Sequence, residues 1–332
     1  MDDIFIDAFE RLLAGECDAA TVRRIEAGEQ ANALWDAIAG AGFADILVPE
    51  SEDGAGLSLL AAAPLIAACG RYALPLPLPY TMLARAWLAA DARAGVQGPV
   101  TIAPQPSATG LRFDNVPFGA VSDWLLVQRG EQCELWPVDH ATREPDGIHA
   151  SLDATLVWQE APRAIPLPVS AESARVAGAA VTALLMTGAL EKMLDMTIAW
   201  ANERTQFGRP IGKFQAIQHQ ISVLAELVFS ARMAANLACP ADGYAPRELG
   251  AAAAKGYVSA VASQAASIAH AVHGAIGITT EHDLNLYTRR LHAWRRAFGA
   301  ESHWQERIGA AWLSGDDSAL DFMRNTLYGA SA

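Results

Sequence analysis

The chain has 332 residues, 52% of them hydrophobic and only 18% charged, with a formal net charge of −13. That balance describes a packed globular protein rather than a disordered one. An acidic chain with no long basic run is also poorly suited to nucleic acid or anionic membrane surfaces. The four cysteines, Cys17, Cys69, Cys133 and Cys239, are scattered, which offers neither a disulfide framework nor metal-ligand spacing and fits a reducing cytoplasm. Met1-Asp2-Asp3 is acidic where a secretory signal would be basic. The most apolar helical stretch, Val176 to Leu190, runs into Glu191 and Lys192, short of the roughly 20 apolar residues a membrane span requires. A cytoplasmic, soluble protein is expected.

Along the chain, Phe5, Phe9, Leu12 and Leu13 recur at helical spacing, and Thr21 is placed to cap a second helix running through Ala31, Leu34, Trp35 and Ile38. Val48-Pro49-Glu50 breaks the helix and Asp53-Gly54-Ala55-Gly56 turns the chain. A third helix is predicted from about Ser58 to Arg71, and the alternation Pro75, Pro77, Pro79 predicts an extended segment. From about Gly98 the texture changes to short strand-like runs: Val100 to Ala103, Trp124 to Val127, Cys133 to Val138 and Ala154 to Trp158. From Ala171 the pattern is helical again, with a long helix to about Glu203, a second from about Phe214 to Leu237, a third from about Glu248 to His273, and final segments from Asp283 to Leu327. The expected fold class is α+β: an N-terminal helical domain over residues 1–95, a small, abbreviated β domain over 96–169 and a C-terminal four-helix bundle over 170–332.

Two segments carry candidate chemistry. In Asn202 to Gly212, a helix is expected to end at Gly208, with Pro210 preventing its restart. Arg204 offers a planar donor fork suited to phosphate, Gln206 and Gln215 can bond the polar edges of a nucleotide, and Phe207 presents a stacking face. The structural alternative is a helix C-cap whose arginine meets the dipole and whose phenylalanine enters the core. In His273 to Leu284, the small residues Gly274, Ala275 and Gly277 let backbone amides approach a phosphate, and Thr280 is placed to cap the next helix. His270 and His273 lack a third ligand or carboxylate partner, so no metal is expected.

Arg204-Thr205-Gln206-Phe207-Gly208 followed by Phe214-Gln215-Ala216-Ile217-Gln218 resembles the signature of the acyl-CoA dehydrogenase family. Val48-Pro49-Glu50 with Gly54 and Gly56 resembles its N-terminal turn, and Gly274 to Gly277 its Gly-Gly-x-Gly turn, with Ala275 in place of the second glycine and Ala271 in place of the usual glutamine. The order helical, β, helical matches the family across nearly the whole chain. The resemblance implies FAD as cofactor, an acyl-CoA thioester as substrate, an electron-transfer flavoprotein as acceptor and an oligomer, a dimer of dimers. It also implies that Arg204, Gln206, Phe207, Gln215, Gly274, Ala275 and Gly277 contact the FAD of a neighbouring subunit. Family members remove the α-proton with a glutamate while the β-hydrogen leaves as hydride, which calls for a desolvated, well-aimed carboxylate.

That carboxylate is missing from both places the family puts it. Counting from the Gly274 turn, the Tyr-Glu-Gly position falls on Ala297-Phe298-Gly299, and the alternative site on the first bundle helix falls on Gly178. Glu172 lies six residues earlier, roughly 9 Å along that helix, and Glu301 is the best surviving candidate. The acidic, glycine-containing flavin loop has no counterpart between Gly98 and Asp114. The chain resembles the shorter, base-lacking subunit of heteromeric bacterial family members, notably those of steroid side-chain degradation, which implies that it lends Arg204, Gln206 and Phe207 to a FAD whose base lies in a homologous partner. A self-sufficient homomer with a displaced base, and a scaffold without FAD, stand as alternatives.

Overall fold

The computed structural model describes residues 2–105 and 109–328, with side chains from residue 4 onward. Six helices open the chain: α1 (Asp2–Glu16), α2 (Ala19–Glu26), α3 (Asn32–Gly40), α4 (Leu59–Arg71), α5 (Leu78–Trp87) and α6 (Ala90–Gly95). The single helix expected from Thr21 through Ile38 is two. Gly28, at φ 103°, breaks it, because a left-handed residue cannot continue a right-handed helix. Its cap is Asp18 rather than Thr21: the Asp18 carboxylate accepts from the Thr21 amide at 2.7 Å, while the Thr21 hydroxyl accepts from Arg24. Ser58 caps α4 as its hydroxyl accepts from the Ala61 amide. The proline alternation is only partly extended. Pro77 precedes α5 and Pro79 sits in its first turn, where a missing amide proton costs nothing.

Seven strands follow: β1 (Val100–Ile102), β2 (Arg112–Val116), β3 (Trp124–Arg129), β4 (Gln132–Pro137), β5 (Thr142–Pro145), β6 (Ala154–Val157) and β7 (Ile165–Ser170). They form two sheets, β1-β3-β4-β7 and β2-β6-β5. β1 runs parallel to β3, and the other pairings are antiparallel. β5 and β7 were not among the expected strands. Between the sheets sits a small core in which Phe113, Trp136 and Trp158 meet edge to face at 5.4–5.9 Å, the arrangement aromatic quadrupoles favour.

The helical bundle consists of α7 (Ala171–Glu203), a two-residue hairpin of β8 (Thr205–Gln206) and β9 (Arg209–Pro210), then α8 (Gln215–Asn236), α9 (Glu248–His273), α10 (Leu284–Arg296), α11 (Glu301–Leu313) and the short α12 (Ala319–Phe322). α7 is long and apolar enough to cross a bilayer, but 89% of its most apolar window is buried inside the fold. It packs against α8, α9 and α10 on the bundle side and α4 on the other. α10 is pinned to the N-terminal helices by Glu26, whose nearly buried carboxylate accepts from both Arg289 (2.9 Å) and Arg290 (3.1 Å).

α4 and α7 cross at backbone contact. A Cβ added at Gly70 would lie 1.9 Å from the Leu185 carbonyl oxygen, and one at Gly188 would lie 1.7 Å from that of Ala67. Gly188→Ala is therefore expected to destabilise the protein by about 3 kcal/mol through forced separation of the helices. Gly309→Ala, in α11 with nothing within 4 Å of the new methyl, is expected to stabilise it by about 0.5–1 kcal/mol. Urea unfolding of the two variants checks both signs.

Candidate functional site

α7 carries a candidate region at each end. It stops at Glu203, not at Gly208, because Arg204 turns extended (ψ 116°) and its carbonyl accepts from the Ile211 amide at 2.8 Å. That bond closes the β8–β9 hairpin. Phe207 (φ 51°) and Gly208 (φ 80°) form its tip, both left-handed as a two-residue hairpin turn requires. A bulky residue in that region is strained by roughly 1–3 kcal/mol, and Phe207 is 92% exposed. The sequence alternative of a phenylalanine in the core is thereby excluded. The Arg204 guanidinium lies 5.9 Å from the Trp200 ring centre. Arg209 lies 4.3 Å over Phe214, whose ring meets Phe207 edge-on at 6.2 Å. Gln206 and Gln215 are exposed on the same hairpin and at the start of α8.

The second motif begins where α9 ends. Gly274 has φ 67° and ψ −148°, a combination essentially restricted to glycine, and it opens a 3-10 turn through Ile278. Gly274 and Ala275 are exposed, and Gly277 is buried with its α-carbon packed so that a Cβ would lie 2.9 Å from Leu284. Thr280 does not cap α10. The cap residue is Asp283, and the Leu284 amide donates to His282 Nδ1 at 3.1 Å. The Trp200 and His273 rings stack at 5.6 Å and 15°, which brings the end of α7 to the end of α9. The open space around Gly274, the projecting Phe207 and the free fork of Arg204 fit the diphosphate and adenine end of a dinucleotide.

At the other end of α7 the two alternative base positions touch each other. A Cβ at Gly178 would fall 2.5 Å from the Phe298 ring, so the ring occupies the place of any side chain there. Phe298 is 1% exposed. It packs on Tyr80 (5.5 Å), which in turn meets Phe118 at 6.1 Å. The Tyr80 hydroxyl pairs with Thr182 Oγ1 at 2.9 Å, and burial pushes its phenol up, away from any role as a base at neutral pH. Aromatic rings thus fill the space between the two positions.

Neither Glu301 nor Glu172 is placed to take over. Glu301 opens α11 and is held by Arg295, whose Nε donates to it at 3.0 Å. That hydrogen bonding lowers its carboxyl below the ordinary range, the wrong direction for a general base. A cavity of about 500 Å³ opens beside Phe298, lined by Gln105, Gln128, Glu172, Arg175, Gly299 and His303 among others. Burial would raise Glu172, but hydrogen bonds from Arg175 and Arg307 outweigh it and hold the carboxyl low. Within the segment lacking the flavin loop, residues 106–108 lie outside the described residues.

Sequence reasoning missed Lys255, which is completely buried. Its ammonium donates to the carbonyls of Arg295 (2.8 Å) and Gly299 (3.0 Å) and to Ser259 Oγ (3.0 Å), fastening both ends of the segment that carries Phe298. A lone lysine in an alanine-rich helix gives no such signal.

Residues 172–313 match the family model described as acyl-CoA dehydrogenase, C-terminal domain. Among curated proteins, the chain is 34% identical to the acyl-CoA dehydrogenase IpdE2 of Mycobacterium tuberculosis over 85% of this chain and 87% of that protein. Among solved structures it resembles the ChsE4-ChsE5 complex from Mycobacterium tuberculosis (TM-score 0.81, 19% identity, 95% and 98% of the two chains). It also resembles the Tcur3481-Tcur3483 steroid ACAD (TM-score 0.83, 23% identity, 95% and 99%).

Burial lowers the Lys255 amine from its ordinary value to about 7, with Glu301 opposing and Arg295 adding to the fall. Between that value and 10.5 the unfolded chain holds a proton that the folded chain has lost, so stability rises with pH across this window, by at most about 1.4 kcal/mol per pH unit. Lys255→Met is expected to abolish that rise, which urea unfolding at a series of pH values between 7 and 10 checks.

Proposed function

Because the chain belongs to the acyl-CoA dehydrogenase family of FAD-dependent oxidoreductases, we propose that it serves as the FAD-contributing subunit of a heteromer whose homologous partner carries the catalytic glutamate. The observation that carries this reading is the contact of Phe298 with Gly178. The base is lost at both of the family's alternative sites, and the vacated space is filled with aromatic side chains. The other end of α7 carries an exposed hairpin with Gln206 and Phe207 at and beside its tip.

Distance separates the two ends. Gly178 and Arg204 lie 26 positions apart, at either end of one continuous helix, about 39 Å at about 1.5 Å per residue. A dinucleotide cannot stretch that far, so one FAD cannot meet both ends of the same chain. Arg204, Gln206, Phe207 and Gln215, with the Gly274–Gly277 turn, would hold the diphosphate and adenine half of a FAD whose ring lies in the partner. In this family the hydride acceptor is FAD. This chain's own part is to bind and orient, since Glu172 and Glu301, the carboxylates nearest the two base positions in sequence, are both held by arginines. A steroid-derived acyl-CoA is the substrate class that accords with the name of the steroid ACAD it resembles, and an electron-transfer flavoprotein is the acceptor that the family implies.

The test is to purify the chain alone, and together with a full-length relative bearing a carboxylate at the base position, and to record visible spectra and turnover. Flavin absorption and acyl-CoA oxidation are expected only in the mixture. Arg204→Ala is expected to lower FAD affinity of the mixture by about tenfold or more, the loss of one charge-assisted hydrogen bond. Glu301→Gln is expected to leave turnover within about twofold. A full complement of FAD and unaided dehydrogenation by the chain alone would overturn the proposal.

A further inference from the structure

The two nucleotide-facing motifs are 70 residues apart in sequence, and each stands on a different helix: Arg204 follows α7 and Gly274 follows α9. What registers them is a three-ring cluster. Trp200, one turn before Arg204, stacks on His273, the residue before Gly274. His282, on the segment leading to α10, meets His273 at 4.8 Å and Trp200 at 5.7 Å, edge-on to both. The Arg204 guanidinium lies 5.9 Å from the centre of the Trp200 ring, so the fork that faces the nucleotide rests on this cluster.

His273 is tied to one tautomer. Its Nδ1 lies 2.8 Å from the Ala269 carbonyl, and a carbonyl can only accept, so Nδ1 carries the proton and Nε2 a lone pair. His273 Nε2 and Trp200 Nε1 are buried without a hydrogen-bond partner, as is Nδ1 of His270 one turn away. Buried polar atoms left unpaired lose free energy, so the rings are held by stacking and shape, not by a polar network. The packing is tight on the far side too: a Cβ at Gly277 would meet His273 Cβ at 3.0 Å and His270 Nδ1 at 3.2 Å.

We propose that Trp200 and His273, braced by His282, are positioning residues that lock the Arg204 hairpin and the Gly274 turn into one nucleotide-binding surface, and that this requires neutral His273. The inference rests on the proposed function above and adds residues that no nucleotide contact would reveal. The charged and titratable groups against the cluster are Arg204 on the α7 side, His270 on α9 itself and His282 on the segment before α10, while Asp283, next in the chain, is paired with Arg23 of α2 at 2.6 Å. A proton on His273 would add a second positive charge beside Arg204 with no acceptor for Nε2. Burial, with His282 and His270 adding to it, already holds that ring below the ordinary histidine value.

The experiment measures ADP binding by isothermal titration to the full chain, wild type and variants, across pH 5 to 8, with thermal unfolding as a control for folding. Trp200→Ala and His273→Ala are expected to weaken ADP about tenfold. His273→Phe keeps the stack and cannot take a proton. It is expected to bind within about twofold of wild type at pH 7.5 and to lack the weakening that wild type shows toward pH 5. If folded His273→Ala or Trp200→Ala binds as wild type does, or His273→Phe keeps the acid dependence, the positioning role is wrong while the proposed function stands. If wild type binds neither ADP alone nor FAD with its partner, both fall together.

Discussion

The backbones of α4 and α7 touch where Gly70 faces Leu185 and Gly188 faces Ala67, and the placement of every other functional element follows from that contact. Close approach lets a 33-residue helix run through the middle of the molecule with small residues on most of its faces, and packing at that distance tolerates no added methyl. Because α7 runs unbroken from Ala171 to Glu203, it fixes the separation of the two regions at its ends. One end is closed by aromatic packing and the other projects an arginine and a phenylalanine into open space.

Glu301 and Glu172, near the closed end, are both engaged. Glu301 belongs to Arg295, and Glu172 to Arg175 and Arg307. A catalytic base has to be desolvated without a cationic partner so that its proton affinity rises, and these groups are in the opposite condition. Lys255 makes the arrangement firm by binding the carbonyls on both sides of Phe298. The segment from Arg295 to Gly299 is thereby anchored in a form that turns the Phe298 ring inward.

How much of this was legible in the sequence depended on range. α7 and α9 have the limits that alanine-rich periodicity and their flanking breakers predict, and the family signature lies where the pattern placed it. β5 and β7 were hidden for a physical reason. β5, Thr-Arg-Glu-Pro, is exposed at every position, and β7 contains Pro166 and Pro168. Both are edge strands, the place where prolines and unpatterned residues are tolerated. The hairpin after α7 was read as a helix end because Gly208 signals a left-handed residue equally in either setting. The meeting of Phe298 with Gly178, and of Trp200 with His273, joins residues so far apart in sequence that no local pattern could record it.

The Phe298–Gly178 contact also bears on how such a chain could change over generations. Replacing Gly178 with glutamate would drive a side chain into the Phe298 ring, and replacing Phe298 with glutamate would set a charge among Tyr80, Phe118 and the apolar wall of α7. Either first step costs stability before any activity is gained. The two positions therefore constrain each other: neither can take a glutamate at low cost unless the other changes as well, and such paired changes are slow to accumulate one at a time.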